Sequence, residues 1–360
     1  MKKENMEKYY VLNCRHCEAK NRLEMEKAVN ETQNALCGSC KKELFLSGEE
    51  IFKDIDPRAY EHPWDRASLN KLKQVPGVQT FLKFVLKMIH EKRDKIFNIQ
   101  NHVLVTDKHL PEYHEMFSRA CKRMDLSYVP DFYIYQSPYV NAYTGGVDEA
   151  YVSMSSAAFD LLNEKELTYI MGHELAHIHM EHVLLKYAAY ILINVGMSLA
   201  NMTIGFPSAL LMPIYMAFLH WNRCSELSAD RGGLIATGDY SASIGTNMKL
   251  AGGSHVISSK MDPEQFLIQA DTAYEKTHED LLSMIYYMSM TSATTHPFPV
   301  WRAGALRSWV NSGDYFDILS GKYEKKVNDK NTDKTEDLFK KAEDEGDFFD
   351  QMRNLFTFTN

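Results

Sequence analysis

The sequence predicts an α+β chain, mainly helical, with a small β-sheet and a small N-terminal module pinned by cysteines. Three observations predict it. Apolar residues at three- and four-residue spacing dominate from about residue 155 to 320, which is the signature of helices packed on a core. Two short runs rich in Tyr, Phe and Val, Asp131 to Gln136 and Ala150 to Met154, read as strands. Four of the six cysteines fall in two tight pairs near the N-terminus. The 360 residues are 45% hydrophobic and 24% charged, ordinary for globular protein, so a disordered chain, a fibrous repeat and a mostly membrane-embedded bundle are excluded. The mean hydropathy of -0.36 agrees. The net charge of -8 is a poor default for a non-specific nucleic-acid binder, and no nucleic acid is expected as a partner.

Residues 1 to 46 come first. The start is charged (Lys2, Lys3, Glu4, Glu7, Lys8) and lacks the apolar core of a signal peptide, so a reducing, cytoplasmic location is expected. Cys14/Cys17 and Cys37/Cys40 have C-x-x-C spacing, with 19 residues between Cys17 and Cys37. Each pair turns tightly enough for its sulfurs to converge, and two such turns make a tetrahedral four-thiolate site, a structural zinc ribbon. Two redox C-x-x-C motifs are the competing reading. So small a module has little core, so the metal would supply its stability. This stretch also resembles, locally, the short ribbon at the start of certain bacterial thioredoxins. Cys121 is most simply a small buried apolar residue.

Residues 47–77 are acidic and contain Asp56-Pro57, His62-Pro63 and Pro76-Gly77, and read as a linker. From Val78 the pattern turns helical, with Phe81, Phe84, Val85, Met88 and Ile89 on one stripe. A second amphipathic helix covers Leu110 to Met124. Between the two strand signals lies Asn141-Ala-Tyr-Thr-Gly-Gly146, a turn-forming segment. Residues 324–360 read as a charged, flexible tail.

Chemistry concentrates at His173-Glu174-Leu175-Ala176-His177. Asn163 and Glu166 have capping-box spacing, so a helix starts there, with Leu167, Ile170 and Met171 as its buried stripe. Residues four apart share a helix face, so His173 and His177 can bind one metal ion. Glu174 then stands where its carboxylate can reach a water activated by the metal. At about 100° per residue, His179 and His182 point roughly 240° and 180° away from His173, and read as surface or partner-facing. A catalytic zinc needs a third protein ligand. Glu226, in Arg223-Cys-Ser-Glu-Leu-Ser-Ala-Asp230, is the best candidate. Asp230, four residues on, can orient a ligand imidazole. Cys224 is the alternative ligand, but points about 200° away from Glu226. Thr295-His296-Pro297-Phe298-Pro299-Val300-Trp301-Arg302 follows; alone, a His before Pro at a helix start reads as structural.

Taken in order, HELAH, ELSAD and THPFPVWR resemble the zinc endopeptidase family that contains the CAAX prenyl protease and the heat-shock protease HtpX. The NAYTGG segment resembles that family's Asn-Ala-aromatic signature. The resemblance spans about Glu112 to Tyr323 and leaves out the ribbon, the linker and the tail. It implies a gluzincin-type metallopeptidase domain over 78–323, with a small sheet beside the HELAH helix. It implies His173, His177 and Glu226 as ligands of one catalytic zinc and Glu174 as catalytic base, and the cysteine ribbon adds one structural zinc. The developing oxyanion needs a donor, for which His296 is the candidate, and Arg302 is expected to pair with an acidic group such as Asp230 and fix the helices around the metal. The strand around Tyr151 to Met154, or the segment of Asn141, Ala142 and Tyr143 itself, would accept an extended peptide substrate by strand addition. The expected activity is hydrolysis of peptide bonds in protein substrates. The competing reading is a non-proteolytic ribbon-bearing scaffold with a metal-stabilised, peptidase-like domain. An intact Glu174 argues against the scaffold, which needs no general base. CAAX processing itself is not implied, since the chain is too short and polar to build a membrane chamber.

Residues 187–222 carry no Asp, Glu, Lys or Arg. One bilayer span takes roughly 20 apolar residues. The stretch 187–219 is therefore long enough for a hairpin that dips into the inner face of a membrane and returns, and is equally readable as a buried helical hairpin. Both metal-binding motifs must meet, so a single crossing is excluded.

Overall fold

The computed structural model describes residues 9–30, 34–46, 50–74, 78, 82, 91–191, 208–277, 279–280, 282–283, 286–287, 290, 296 and 298–326. The chain is mainly helical with a small mixed sheet, as the sequence predicts. The N-terminal hairpin pairs β1 (Tyr9–Asn13) with β2 (Lys20–Glu24) and runs into α1 (Met25–Asn30). It does not stand apart. Tyr10, Leu12, Leu44 and Phe45 belong to the main core cluster.

The stretch expected as a linker is structured. α2 (Pro63–Gln74) buries Asp65, Ser68 and Leu72. Ahead of it, Phe52, Ile55 and Tyr60 have no solvent exposure. Its prolines mark element starts: Pro57 opens a short 3-10 turn capped by Asp56, and Pro63 opens α2, where the missing N–H costs nothing. Of the helix expected from Val78, only Val78 and Leu82 are described; both pack with Leu72, Leu184 and Trp221, and the rest lies outside the described residues. So do the tail from 327 and the centre of the uncharged stretch, 192–207.

α3 (Glu91–Asn101) leads to β3 (Val103–Leu104), a strand the sequence did not signal, and α4 (Pro111–Arg123) follows. The sheet has the order β3-β4-β6-β5, with β4 (Asp131–Tyr135) parallel to β6 (Tyr151–Ser155) and β5 (Ala142–Gly145) antiparallel to β6 at the edge. The NAYTGG segment is thus mostly strand, not turn. Tyr143 and Thr144 favour extended backbone, Gly145 lets the Tyr151 ring lie against it, and Gly146 at φ 75° makes the turn. Alternation sends Phe132, Val152 and Met154 into the main core, where Phe117 stacks on Phe132 at 4.7 Å. The opposite face carries Tyr133, Tyr135, Tyr143 and Tyr151.

After α5 (Ser156–Leu161), α6 (Glu164–His179) starts at a complete capping box. Asn163 Oδ1 accepts from the Glu166 N–H at 3.1 Å, and Glu166 Oε2 accepts from the Asn163 N–H at 2.8 Å. α7 (Val183–Ile191) and the 30-residue α8 (Ser208–Thr237) flank the uncharged stretch. No helix among the described residues is long and apolar enough to cross a membrane. α9 (Tyr240–Gly252), α10 (Pro263–Thr277), α11 (Pro299–Ser312) and α12 (Asp314–Leu319) complete the domain.

α6 and α8 form the spine. Glycines let them approach closely: a Cβ on Gly172 would lie 2.2 Å from Ala236 Cβ, and one on Gly232 would lie 2.3 Å from Ala176 Cβ. That proximity brings HELAH face to face with ELSAD.

Candidate metal centre

His173, Glu174 and His177 sit on one buried stretch of α6, each no more than 2% exposed. Glu226 and Asp230 face them from α8, at 0% and 2% exposure. His296, at the approach to α11, completes the cluster; its side chain is 27% exposed and so reaches solvent. Glu226 Oε2 lies 3.2 Å from His173 Nε2 and 2.5 Å from His296 Nδ1, and Glu226 Oε1 lies 3.4 Å from His177 Nε2. The donor atoms of His173, Glu226 and His296 all fall within 4.8 Å of one another. His177 stands just outside that trio, and its Nε2 faces the Lys186 ammonium at 2.9 Å.

Lys186, from α7, was not singled out in the sequence. Its Nζ also donates to Glu226 Oε1 at 2.6 Å. Its only sequence signal is its place as the last charge before the uncharged stretch.

The charges respond to burial and to each other. Burial opposes ionisation of Glu226, but His296 and Lys186 hold its carboxyl well below the ordinary range. Burial and Lys186 together keep His177 well below its ordinary value, so it is neutral. Burial also works against a charged His173, but hydrogen bonds to Asp230 and Glu226 outweigh it and raise its pKa.

Asp230 orients the first histidine. Its Oδ1 lies 3.0 Å from His173 Nδ1 and accepts from the Tyr169 hydroxyl at 2.8 Å. Arg302 Nε donates to Asp230 Oδ2 at 2.7 Å, and Arg302 Nη2 donates to Oδ1. Despite full burial, this pairing brings the Asp230 carboxyl down to about 2. Tyr169 is itself held by Asn247 Nδ2 at 3.0 Å. Neither Tyr169 nor Asn247 was visible in the sequence, since each acts only through a contact between helices far apart in the chain.

Glu174 has a partner the sequence reading also missed. Thr144 Oγ1 on β5 lies 2.7 Å from Glu174 Oε2. Strand alternation turns Ala142 and Thr144 toward α6 and Asn141 and Tyr143 the other way. Cys224 is buried and lies 3.8 Å from His220 Nε2, away from the cluster.

His182 is where helix-wheel arithmetic failed. It is 2% exposed, not surface-facing. α6 stops at His179, and Glu181 at φ 58° turns the chain back. The His182 ring therefore returns to lie 3.0 Å, Nδ1 to Nδ1, from His177. Its Nε2 lies 3.2 Å from Asp65 Oδ2 on α2. His179 instead meets the Tyr60 hydroxyl at 2.7 Å.

The arrangement fits a zinc ion. His173 Nε2 is buried and makes no well-aligned hydrogen bond, facing only Glu226 Oε2 at 3.2 Å. The Nε2 atoms and one buried carboxylate supply the donor set of catalytic zinc. The Lys186 ammonium, held by Glu226 and His177, marks the point where these atoms accept a positive charge. The four N-terminal cysteines also converge. Cys14 and Cys40 sulfurs lie 3.6 Å apart and Cys17 and Cys37 sulfurs 3.7 Å apart. Tetrahedral zinc with Zn–S of about 2.3 Å sets sulfurs roughly 3.8 Å apart. The backbone N–H of Cys40 and that of Ser39 bring the Cys37 thiol down to about 6 against its burial, helped by Asn21.

The model of peptidase family M48 matches residues 107–310. The chain belongs to peptidase family M48. A protein of Arabidopsis thaliana named plastoglobule-localized metallopeptidase 48, chloroplastic, is 30% identical over 285 residues, covering 78% of this chain and 79% of that protein. Protease HtpX homologs match over shorter stretches. That of Helicobacter pylori is 30% identical over 97 residues, 26% of this chain and 31% of its own length. That of Ralstonia nicotianae is 25% identical over 168 residues, 41% and 57% of the two chains. No solved structure matches. M48 members are zinc metallopeptidases, and this member is a metalloprotease, a hydrolase of proteins. The M48 match covers residues 107–310, so the ribbon and α2 lie outside the matched residues.

Proposed function

We propose that the protein is a zinc-dependent endopeptidase in which His173, His177 and Glu226 hold the catalytic ion and Glu174 is the general base. The observation that carries this reading is convergence. Side chains from three elements far apart in sequence meet at one buried point: two histidines from α6, Glu226 from α8, and His296 from the approach to α11. Bound there, zinc would polarise the scissile carbonyl and acidify a water molecule. Glu174 takes the water proton and later delivers it to the leaving amine nitrogen. The Thr144 hydroxyl holds the Glu174 carboxylate in place for both transfers. His296 donates to the oxyanion as charge develops on the carbonyl oxygen. Asp230 and Arg302 orient His173.

The edge strand β5 supports recognition of an extended peptide. The Ser155 N–H donates to the Asn141 carbonyl at 2.9 Å, which sets the phase of the ladder. Asn141, Tyr143 and Gly145 therefore spend their backbone groups on β6, and Ala142 and Thr144 present theirs outward. A substrate strand pairing there is read mainly through its backbone, which suits broad specificity. A second ion in the four-cysteine site serves structure.

Glu174→Gln tests this. Casein cleavage should fall about 10²–10⁴-fold, the usual worth of a general base, with zinc content unchanged. Cleavage within a few-fold of wild type would refute the assignment.

A further inference from the structure

α2 lies outside the residues that match the family, yet it reaches the metal centre. Asp65 on this helix is fully buried. Its Oδ2 meets His182 Nε2 at 3.2 Å and accepts from the Ser228 hydroxyl at 2.6 Å. Ser228 is itself fixed, because its Oγ accepts from the His62 N–H at 2.9 Å. His182 Nδ1 lies 3.0 Å from His177 Nδ1. A carboxylate can only accept, so a neutral His182 ring facing Asp65 carries its single proton on Nε2. Its Nδ1 is then a bare acceptor. The only donor His177 can offer that acceptor is Nδ1–H. With the proton on Nδ1, His177 keeps an unprotonated Nε2, and that atom faces Glu226 and accepts from Lys186 at 2.9 Å.

We propose that Asp65 and His182 are positioning residues that fix the His177 tautomer, so that its Nε2 lone pair is committed to the catalytic zinc. The inference rests on His177 being a ligand. It makes the two halves of HELAH parallel in design. Asp230 backs His173 directly from α8, and Asp65 backs His177 through one intervening imidazole from α2. Partners that lock a ligand's ring in this way typically carry about 10–100-fold in metal affinity. The added N-terminal region thereby contributes to the metal centre itself, and the helix read as linker is part of the enzyme's working core.

The test uses the full chain. Zinc is titrated against a chromophoric chelator, and histidine-selective ¹⁵N labelling reads which nitrogen of each ring carries the proton. His177→Ala should abolish one zinc equivalent and leave the thiolate-held one. Asp65→Asn, nearly isosteric, should weaken that same equivalent about 10–100-fold and move the His177 proton from Nδ1 to Nε2. His182→Leu should weaken it similarly. His182→Asn should recover most of the loss, because its Oδ1 can stand where Nδ1 accepts. An Asp65→Asn protein with native affinity and an unmoved proton would overturn the relay and leave His177 a ligand. Full zinc content in His177→Ala would overturn the ligand assignment and the relay with it. The wild type alone is also decisive: a proton on His182 Nδ1, with or without one on Nε2, would overturn the relay whether or not any variant folds.

Discussion

Asp230 carries three roles on one carboxylate. It orients His173, anchors Tyr169 and pairs with Arg302, all with almost no solvent. Removing its charge leaves a buried guanidinium unpaired, and such losses cost about 3–5 kcal/mol. Asp230→Asn should therefore lower stability by that amount in chemical denaturation. Arg302→Leu alone should not restore it, because Asp230 is then the orphan. The pH dependence has a definite sign. The folded carboxyl titrates at about 2, below its ordinary 3.8, so its contribution is complete above pH 4. It is lost as pH falls from about 4 to about 2, and the shift of nearly two units corresponds to roughly 2 kcal/mol. Asp230→Asn should flatten the stability curve across that window, as measured by denaturant midpoints at each pH. An unchanged acid slope would mean the ion pair is not the source. The acidic motif made Asp230 legible in the sequence, since E-x-x-x-D puts both carboxylates on one helix face. Thr144, Tyr169 and Lys186 were not legible. Each acts across a tertiary contact, and a hydroxyl or ammonium at one position has no period for a pattern to detect.

At the scale of elements, the α6–α8 contact decides whether HELAH and ELSAD meet. Gly172 and Gly232 are points of close approach, and a methyl at Gly232 collides with Ala176 at 2.3 Å and crowds the Tyr60 ring at 3.2 Å. Those neighbours are a helix methyl group and a fully buried ring, neither of which can swing away. Gly232→Ala should cost about 1–3 kcal/mol by overpacking. It should also reduce zinc affinity, because it pushes Glu226 away from the histidines. Differential scanning calorimetry and zinc titration check the two effects. Loss of stability with native zinc affinity would show that the helices part without disturbing the site. Sequence periodicity captured α4 and α6 well, because amphipathic stripes and a capping box are local signals. It misread α2 and β5. α2 is polar on most of its surface, and its buried face is built from Asp65, Ser68 and Leu72, two of them polar. β5 is too short to show alternation, and its glycines mimic a turn. The return of His182 was hidden for the same kind of reason: a single left-handed residue, Glu181, ends the wheel on which the estimate relied.

At the scale of the molecule, the ribbon is fastened to the far end of the chain. Tyr10 and Phe45 pack on Phe316 of α12 with ring centroids 5.2 and 5.6 Å away. The Tyr10 hydroxyl donates to Asp317 Oδ1 at 2.7 Å, and the Leu46 N–H donates to the Leu319 carbonyl at 2.7 Å. Gly313, at φ 90°, lets the Tyr10 ring approach the turn before α12. The N-terminal module has little apolar core of its own, so an ion on its four cysteines would supply much of its order, and its few large side chains are shared with the peptidase core. Losing that ion should therefore disturb the peptidase domain as well as the ribbon. Cys14→Ser with Cys37→Ser removes two of the four thiolates and leaves Tyr10 and Phe45 in place. Calorimetry should then show one unfolding transition, moved down by about 3 °C or more, the shift expected for about 2 kcal/mol in a chain of this size. A separate ribbon transition, with the main one unmoved, would mean that the two units are only in contact. One coupled transition would mean that the N-terminal region supports the catalytic domain at two points, through α2 beside the metal centre and through the ribbon on α12.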